Sequence, residues 1–257
     1  MAIRGLKPIV EIMTINFALL AMDQLVNHAA KLRYMSNGQF TIPLVMRTVT
    51  GGGGQLGATH SQSFEGWFAS VPGLKVAVPA YPCDALGLMR TALLEEDPVI
   101  YVEHGLLYNI TQEKCDDSHT IPFGKANITR EGNDITLISY SRMSHVSFEA
   151  ASILESEHGI SAEVIDLRTL NPLDIDLITS SVKKTSQAMV IEEMCKTGGF
   201  ASEIISEIQE QVFDYLDGPI TRINHPDIPT PYAKNLERVA IPNKNAVVKS
   251  VKRQLNV

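Results

Sequence analysis

From Pro8 onward, short apolar runs alternate with longer amphipathic segments, and this alternation limits the folds open to the chain more than any other feature. Pro8 to Met13 reads as a buried strand, Phe17 to Met35 as a helix, Ile42 to Met46 as a strand and Phe64 to Ser70 as a short helix. Leu74 to Val78 reads as a strand, Cys83 to Glu95 as a helix and Val99 to Glu103 as a strand. After the polar stretch Tyr108 to Pro122, strands are expected at Ile135 to Ser139, Ala162 to Asp166, Ala188 to Ile191 and Ile220 to Ile223. Helices are expected at Val146 to His158, Ile175 to Lys184, Phe200 to Val212 and Ala246 to Leu255. Such alternation calls for mostly parallel sheets covered by helices on both faces, so two α/β domains are expected, with the polar stretch as the linker.

The formal charge of −7 and the scattered basic residues give no footprint for nucleic acid. No apolar run reaches membrane-spanning length, since Glu11 interrupts the segment from Pro8 to Met22. Cys83, Cys115 and Cys195 lie far apart without Cys-x-x-Cys or Cys/His spacing, so neither a disulfide framework nor a zinc site is expected, and a reducing compartment fits.

The stretch Thr50-Gly51-Gly52-Gly53-Gly54-Gln55-Leu56-Gly57-Ala58-Thr59-His60 satisfies G-x-G-x-x-G behind an expected strand. The next strand ends in Pro79-Ala80, with no acid to hold a ribose, which argues against a dinucleotide site. Neither G-x-x-x-x-G-K-[ST] nor G-x-S-x-G occurs. What remains is a loop at the C-terminal end of a parallel strand, where open α/β sheets collect ligands, with His60 as a group that titrates near neutrality. The residues alone leave open a surface loop whose histidine caps the following helix.

Several stretches resemble the beta subunit of the first component of pyruvate dehydrogenase: Gly5-Leu6-Lys7-Pro8-Ile9-Val10-Glu11-Ile12-Met13-Thr14-Ile15-Asn16-Phe17, Ala58-Thr59-His60-Ser61-Gln62, Asp97-Pro98-Val99-Ile100-Tyr101-Val102-Glu103-His104, Glu192-Glu193-Met194-Cys195-Lys196-Thr197-Gly198-Gly199 and Asp227-Ile228-Pro229-Thr230-Pro231-Tyr232-Ala233. Gly38-Gln39-Phe40-Thr41-Ile42-Pro43 and Leu106-Leu107-Tyr108-Asn109 resemble the plastid and cyanobacterial branch. The resemblance runs in register from about Arg4 to the C-terminus.

It implies a transketolase-like pyrimidine-binding domain, 1–113, incomplete at its N-terminus, and a transketolase C-terminal domain, 120–257. The implied assembly is an α2β2 heterotetramer with an alpha subunit, in a plastid stroma or, as the alternative, a cyanobacterial cytoplasm. The implied activity is thiamine-diphosphate-dependent decarboxylation of pyruvate and reductive acetylation of a lipoyl group on the acetyltransferase component. Phe17 falls where the family stacks an aromatic ring on the aminopyrimidine, and His60 falls on its active-site histidine. A structural potassium site, built largely from carbonyls, matches Leu44, Ala92, Leu93, Glu95 and Asp97; read without the resemblance, that stretch is an ordinary helix end with solvated acids. The family holds magnesium and the diphosphate through Gly-Asp-Gly, which this chain lacks, so the alpha subunit is expected to hold them.

Two departures carry expectations. Family members begin about one strand-helix-turn unit earlier, and that portion carries the glutamate that activates the aminopyrimidine. A wrongly started reading of a normal gene, a deliberately shortened chain or a truncated non-catalytic paralogue would each account for this, and the abrupt apolar start favours an incomplete reading of the gene. The second departure is Arg47-Thr48-Val49-Thr50-Gly51, where relatives read Arg-Gly-Pro-Gly-Gly, together with Gly54 in place of an arginine. Losing that proline and charge is expected to loosen the loop and raise the pyruvate requirement. The rival readings are the beta subunit of a branched-chain 2-oxo acid dehydrogenase and a catalytically incomplete docking subunit.

Overall fold

The computed structural model describes residues 1–116 and 118–257; Asp117, within the expected linker, lies outside the described residues. The chain divides into two compact units. The first comprises residues 1–51, 59–125 and 168–173, and the second residues 52–58, 126–167 and 174–257.

The first unit holds β1 (Ile9–Ile12), β2 (Val45–Thr50), β3 (Lys75–Ala77) and β4 (Val99–His104), with α1 (Ala30–Met35), α2 (Glu65–Ala69) and α3 (Pro82–Leu94). The second contains β5 (Asn127–Arg130), β6 (Ile135–Ser139), β7 (Ala162–Asp166), β9 (Ala188–Cys195) and β10 (Thr221–His225). Its helices are α4 (Arg142–His158), α5 (Ile175–Thr185), α6 (Ala201–Val212), α7 (Lys234–Ala240) and α8 (Lys244–Gln254). Strand β8 (Thr169–Asn171) belongs to the first unit, closing a sheet of order β1-β2-β4-β3-β8 in which it alone runs antiparallel. The other sheet has the order β10-β9-β6-β7-β5, with β5 antiparallel to β7 and the rest parallel.

The parallel strands form where the apolar runs predict them, because strands covered on both faces have no polar alternation to keep. All five residues of β6 and of β7 are buried. In the second unit α4 pairs with α8 and α5 with α6, and both pairs lie against the central strands. Local signals fix several helix ends. Pro82 opens α3 with Asp84 in its first turn; the Asp174 carboxylate caps α5 by accepting from Leu177 N at 3.4 Å, and Gly159 closes α4 at φ 66°.

Three expectations change. The helix expected over Phe17 to Met35 is a 3₁₀ turn at Ile15–Ala21, a π-type turn at Gln24–Ala29 and then α1. Leu19 and Leu20 are exposed, so no single apolar stripe sets a 3.6-residue phase across the segment. Strands β5 and β8 and helix α7 are additional elements.

The third change concerns the cysteines. Cys83 and Cys115 form a disulfide with Cα atoms 5.8 Å apart, which overturns the expectation of no disulfide. They are 32 residues apart in sequence, but the segment after β4 returns across α3. It is held there by Ile121 N donating to Gly87 O at 3.3 Å and Thr91 Oγ1 donating to Ile121 O at 2.7 Å. Gly87 permits that approach, since a Cβ there would lie 2.8 Å from Ile121 Cγ1.

Buried charge in the second unit leads to a stability prediction. Glu163 is fully buried and bonded by the Lys184 ammonium and by Ser181 Oγ, at 2.5 Å from the latter. Burial pushes its pKa up, but these hydrogen bonds outweigh burial and hold it below the usual carboxylate value. The Glu163 bond raises Lys184 in turn. A depressed acid stabilises the fold above its unfolded pKa of 4.5, and that contribution disappears as pH falls through the folded value. We expect Lys184→Met to cost about 2 kcal/mol near neutral pH, less than for a fully enclosed pair because Lys184 is partly exposed. Urea unfolding of both forms checks this, with the difference narrowing as the solution is made more acid than pH 4.5.

Candidate active site at the ends of β1 and β2

In the first unit, the segments leaving β1 and β2 converge at the C-terminal ends of these parallel strands. Phe17 lies in the 3₁₀ turn after β1 and is 40 % exposed. Its ring meets His60 edge-on, with centroids 5.3 Å apart and an interplanar angle of 85°. His60 is exposed, and its Nδ1 lies 2.9 Å from Thr59 Oγ1. That contact engages Nδ1 of an exposed ring, whose second nitrogen is Nε2.

Buried polar groups hold the two segments together. Asn16, only 7 % exposed, accepts at Oδ1 from Gln62 N at 3.2 Å and from Gln62 Nε2 at 2.9 Å, and donates to Thr14 Oγ1 at 2.6 Å. Thr50, the last residue of β2, donates to the buried Glu65 Oε2 at 2.8 Å. Asn16, Gln62 and Glu65 therefore fix the residues around His60, although sequence reasoning did not single them out. Asn16 and Gln62 stood within the stretches that resemble the family, and that was their only signal.

Glu11 does not supply a free acid here, because its carboxylate takes Arg47 Nη1 at 3.2 Å. Arg47 also pairs with Glu103 at 2.7 Å. Tyr108 donates to Glu103 at 2.8 Å; burial, then that bond, push its pKa up to about 12.

Of the positions expected for potassium, Leu44 precedes β2, Ala92 and Leu93 lie in the last turn of α3, and Glu95 and Asp97 lie between α3 and β4. Ile42 N donates to Glu96 O at 2.9 Å and Val99 N to Leu44 O at 2.8 Å, which sets Leu44 beside the turn carrying Glu95 and Asp97. Ala92 and Leu93 end α3, where carbonyls lack intrahelical partners; Ala92 O accepts from Glu95 N at 3.3 Å and Leu93 O from Lys7 Nζ at 2.6 Å. Asp97 binds Arg33 at 2.9 Å and Glu95 binds Lys75. Carbonyl oxygens at a helix C-terminus suit a monovalent cation in donor chemistry, while these carboxylates already have cationic partners.

The glycine stretch itself, Gly52–Ala58, belongs to the second unit. Its N–H groups at Gly52, Gly53 and Gln55 end on the carboxylates of Glu193 and Glu237. Of the two departures behind the expectation of a loosened loop, Gly54 lies between these anchored positions and Val49 lies in β2. Gly54 has an ordinary φ, and a Cβ there would meet only Leu56 side-chain atoms at 3.4 Å or more. The loop therefore accepts Gly54→Arg.

Residues 1–111 match the transketolase pyrimidine-binding domain family, and residues 124–247 the transketolase C-terminal domain family. Relatives over nearly the whole chain include pyruvate dehydrogenase E1 component beta subunits. The protein of Porphyra purpurea is 46 % identical over 255 residues, covering 99 % of this chain and 77 % of the relative. The chain belongs to the family of pyruvate dehydrogenase E1 component beta subunits. The mitochondrial beta-2 subunit of Oryza sativa subsp. japonica is also 46 % identical, covering 98 % of this chain and 68 % of the relative. The mitochondrial subunit of Saccharomyces cerevisiae is 44 % identical, covering all of this chain and 71 % of the relative. A solved split-gene transketolase, an inactive beta4 tetramer, shares the fold with a TM-score of 0.80 at 22 % identity, over 99 % of this chain and 78 % of its own. Among the described residues, no helix is long and apolar enough to cross a membrane, and no group of three or more His, Cys, Asp or Glu side chains forms a metal cluster.

Proposed function

We propose that this chain is the pyruvate-processing beta subunit of a pyruvate dehydrogenase, working in an α2β2 heterotetramer with an alpha subunit. Its acetyl acceptor is the lipoyl domain of the acetyltransferase component. The observation that carries the reading is the half-exposed Phe17 ring set edge-on to His60 at the C-terminal ends of parallel strands. An aromatic face left partly open suits stacking against an aminopyrimidine, so the thiamine end of the cofactor fits here. When bound, thiamine diphosphate supplies the carbanion chemistry of decarboxylation. Phe17 orients the ring, Asn16 and Gln62 fix the segment carrying His60, and the exposed His60 imidazole orients a carboxylate or moves a proton during acetyl transfer.

The alpha subunit holds magnesium and the diphosphate. Potassium, where bound, plays a structural part at Leu44, Ala92, Leu93, Glu95 and Asp97. Residues 1–113 act as the pyrimidine-binding domain and 120–257 as the C-terminal domain. The proposed location is a plastid stroma, with a cyanobacterial cytoplasm as the alternative. Glu11, already paired with Arg47, is not the acid that activates the aminopyrimidine.

The test mixes the chain with a matching alpha subunit, thiamine diphosphate and magnesium, and follows reduction of an artificial electron acceptor with pyruvate or a branched 2-oxo acid. A second sample carries the upstream segment of a relative joined to the chain. Pyruvate-dependent turnover in the extended sample supports the reading. A preference for the branched acid would move the assignment to the branched-chain enzyme. Alpha-subunit binding without turnover in either sample would favour a docking subunit.

A further inference from the structure

The sheet of the second unit changes direction at β6: α4 carries the chain from β6 to β7 on one side, and the chain then returns to place β9 on the other. The C-terminal ends of β6 and β9 therefore bound the crevice in which open α/β sheets collect ligands. Ser141, which joins β6 to α4 at this edge, holds φ 51° and ψ −135°, a strained backbone for a residue with a side chain, and its buried hydroxyl has no hydrogen-bond partner. Strain of this kind gathers at ligand sites. Arg142, the first residue of α4, lines a cavity of about 570 Å³ that lies wholly within the second unit, a size usual for small-molecule sites. Lys234, Arg238 and Lys244 line it too, with Asn235 and Asn245. Glu237, the one acid among the described lining residues, is 1 % exposed and turns its oxygens to the wall, accepting from Gly53 N at 3.0 Å and from Gln55 N at 3.1 and 3.2 Å. Lys244 bonds Glu149 at 2.8 Å, and Arg142 Nη1 is buried without a hydrogen bond, 3.9 Å from Glu193 Oε2. Lys234 and Arg238 are exposed and have no ion pair among the described residues. In a chain of net charge −7, this cavity holds an excess of cations, and a cleft lined by one sign of charge concentrates ions of the other.

We propose that this cavity binds a small phosphate monoester, such as a mononucleotide or a pentose phosphate. Near neutral pH such an ester carries close to two negative charges, and its phosphoryl oxygens accept several hydrogen bonds at once. Arginine offers that group a planar fork and lysine a mobile point charge, while Asn235 and Asn245 have amide groups for sugar hydroxyls or a base. A carboxylate, with two oxygens and a single charge, would leave part of this donor set unused. The cavity shares no residue with the Phe17 and His60 pair, which belongs to the first unit.

The test titrates the full chain with adenosine monophosphate, ribose phosphate, inorganic phosphate and uncharged adenosine, followed by calorimetry. Saturable one-to-one binding of at least one ester is expected, tighter than that of inorganic phosphate, with none of adenosine. Lys234→Gln and Arg238→Gln should each weaken it about tenfold or more, the usual size of a lost hydrogen bond to a charged group. Their thermal midpoints should stay at the wild-type value, because both side chains are exposed and without an ion pair among the described residues. Lys249→Gln, which removes an exposed cation of α8 outside the cavity, should leave the affinity as it is. In the wild-type chain the bound ester should slow amide hydrogen exchange over residues 234–245, a readout that needs no variant. Tighter binding of adenosine monophosphate points to a mononucleotide, and comparable binding of ribose phosphate to the sugar phosphate alone. Absence of saturable binding would overturn the proposal. So would inorganic phosphate bound as tightly as either ester, which would mean an adventitious ion only, an equal loss of affinity in Lys249→Gln, or slowed exchange confined to the first unit.

Discussion

His60→Ala is expected to lower pyruvate-dependent acetylation of a lipoyl domain by about 10² to 10⁴-fold, the usual contribution of a positioned acid or base. The ring is exposed and its contacts are the Thr59 hydroxyl and the edge of Phe17, so removing it leaves no unsatisfied buried group. The thermal midpoint and alpha-subunit binding should therefore stay at wild-type values. A rate within a few-fold of wild type, far short of a ~10²-fold loss, would remove His60 from the chemistry. Phe17→Ala offers a contrast, since it should weaken cofactor binding in the heterotetramer more than it slows the saturated enzyme.

Reducing the Cys83–Cys115 disulfide is expected to destabilise the protein by about 3 kcal/mol, because the bond closes a long loop in the unfolded chain. Unfolding by urea with and without a reductant measures this, and Cys83→Ser should match the reduced wild type. Thiol titration in denaturant should find one free thiol before reduction and three after, since Cys195 is the remaining cysteine. In the native protein, burial and then the acids Asp227 and Glu192 push the Cys195 thiol above its ordinary pKa. Cys195 should thus alkylate slowly near neutral pH even though it is exposed, because the thiolate is the nucleophile. Three thiols before reduction would show that residues 83 and 115 are not joined.

The sequence carried the parallel core well because β6, β7 and β9 are almost entirely buried, and a fully covered strand writes itself as an unbroken apolar run. Strands β5 and β8 were illegible for the opposite reason. Asn127-Ile-Thr-Arg and Thr169-Leu-Asn are short edge strands, and nothing in either run separates it from a loop. Residues 15–35 carry enough apolar residues for a helix, but three helical geometries succeed one another there, and a single-period reading merges them.

For the candidate site, Phe17 and His60 were found through stretches that resemble a known family; a histidine behind glycines is otherwise open to several readings. Of the anchors of the glycine loop, Glu193 stood only within a stretch that resembles the family, and Glu237 had no signal. Glu193 lies 141 residues from the N–H group it accepts and Glu237 lies 184 and 182 residues from its two, and only the folded chain brings them there. The disulfide is similar, since its partners meet only through the returning segment over α3.

On the reading proposed above, this chain provides the thiamine end of a cofactor site completed by another polypeptide. The most direct test is equilibrium binding of thiamine diphosphate, with magnesium, to the chain alone, to the alpha subunit alone and to their mixture, with Phe17→Ala in parallel. The expected result is tight, saturable binding in the mixture, weakened by Phe17→Ala, and none by the chain alone. Tight binding by the chain alone, or binding in the mixture indifferent to Phe17, would contradict it.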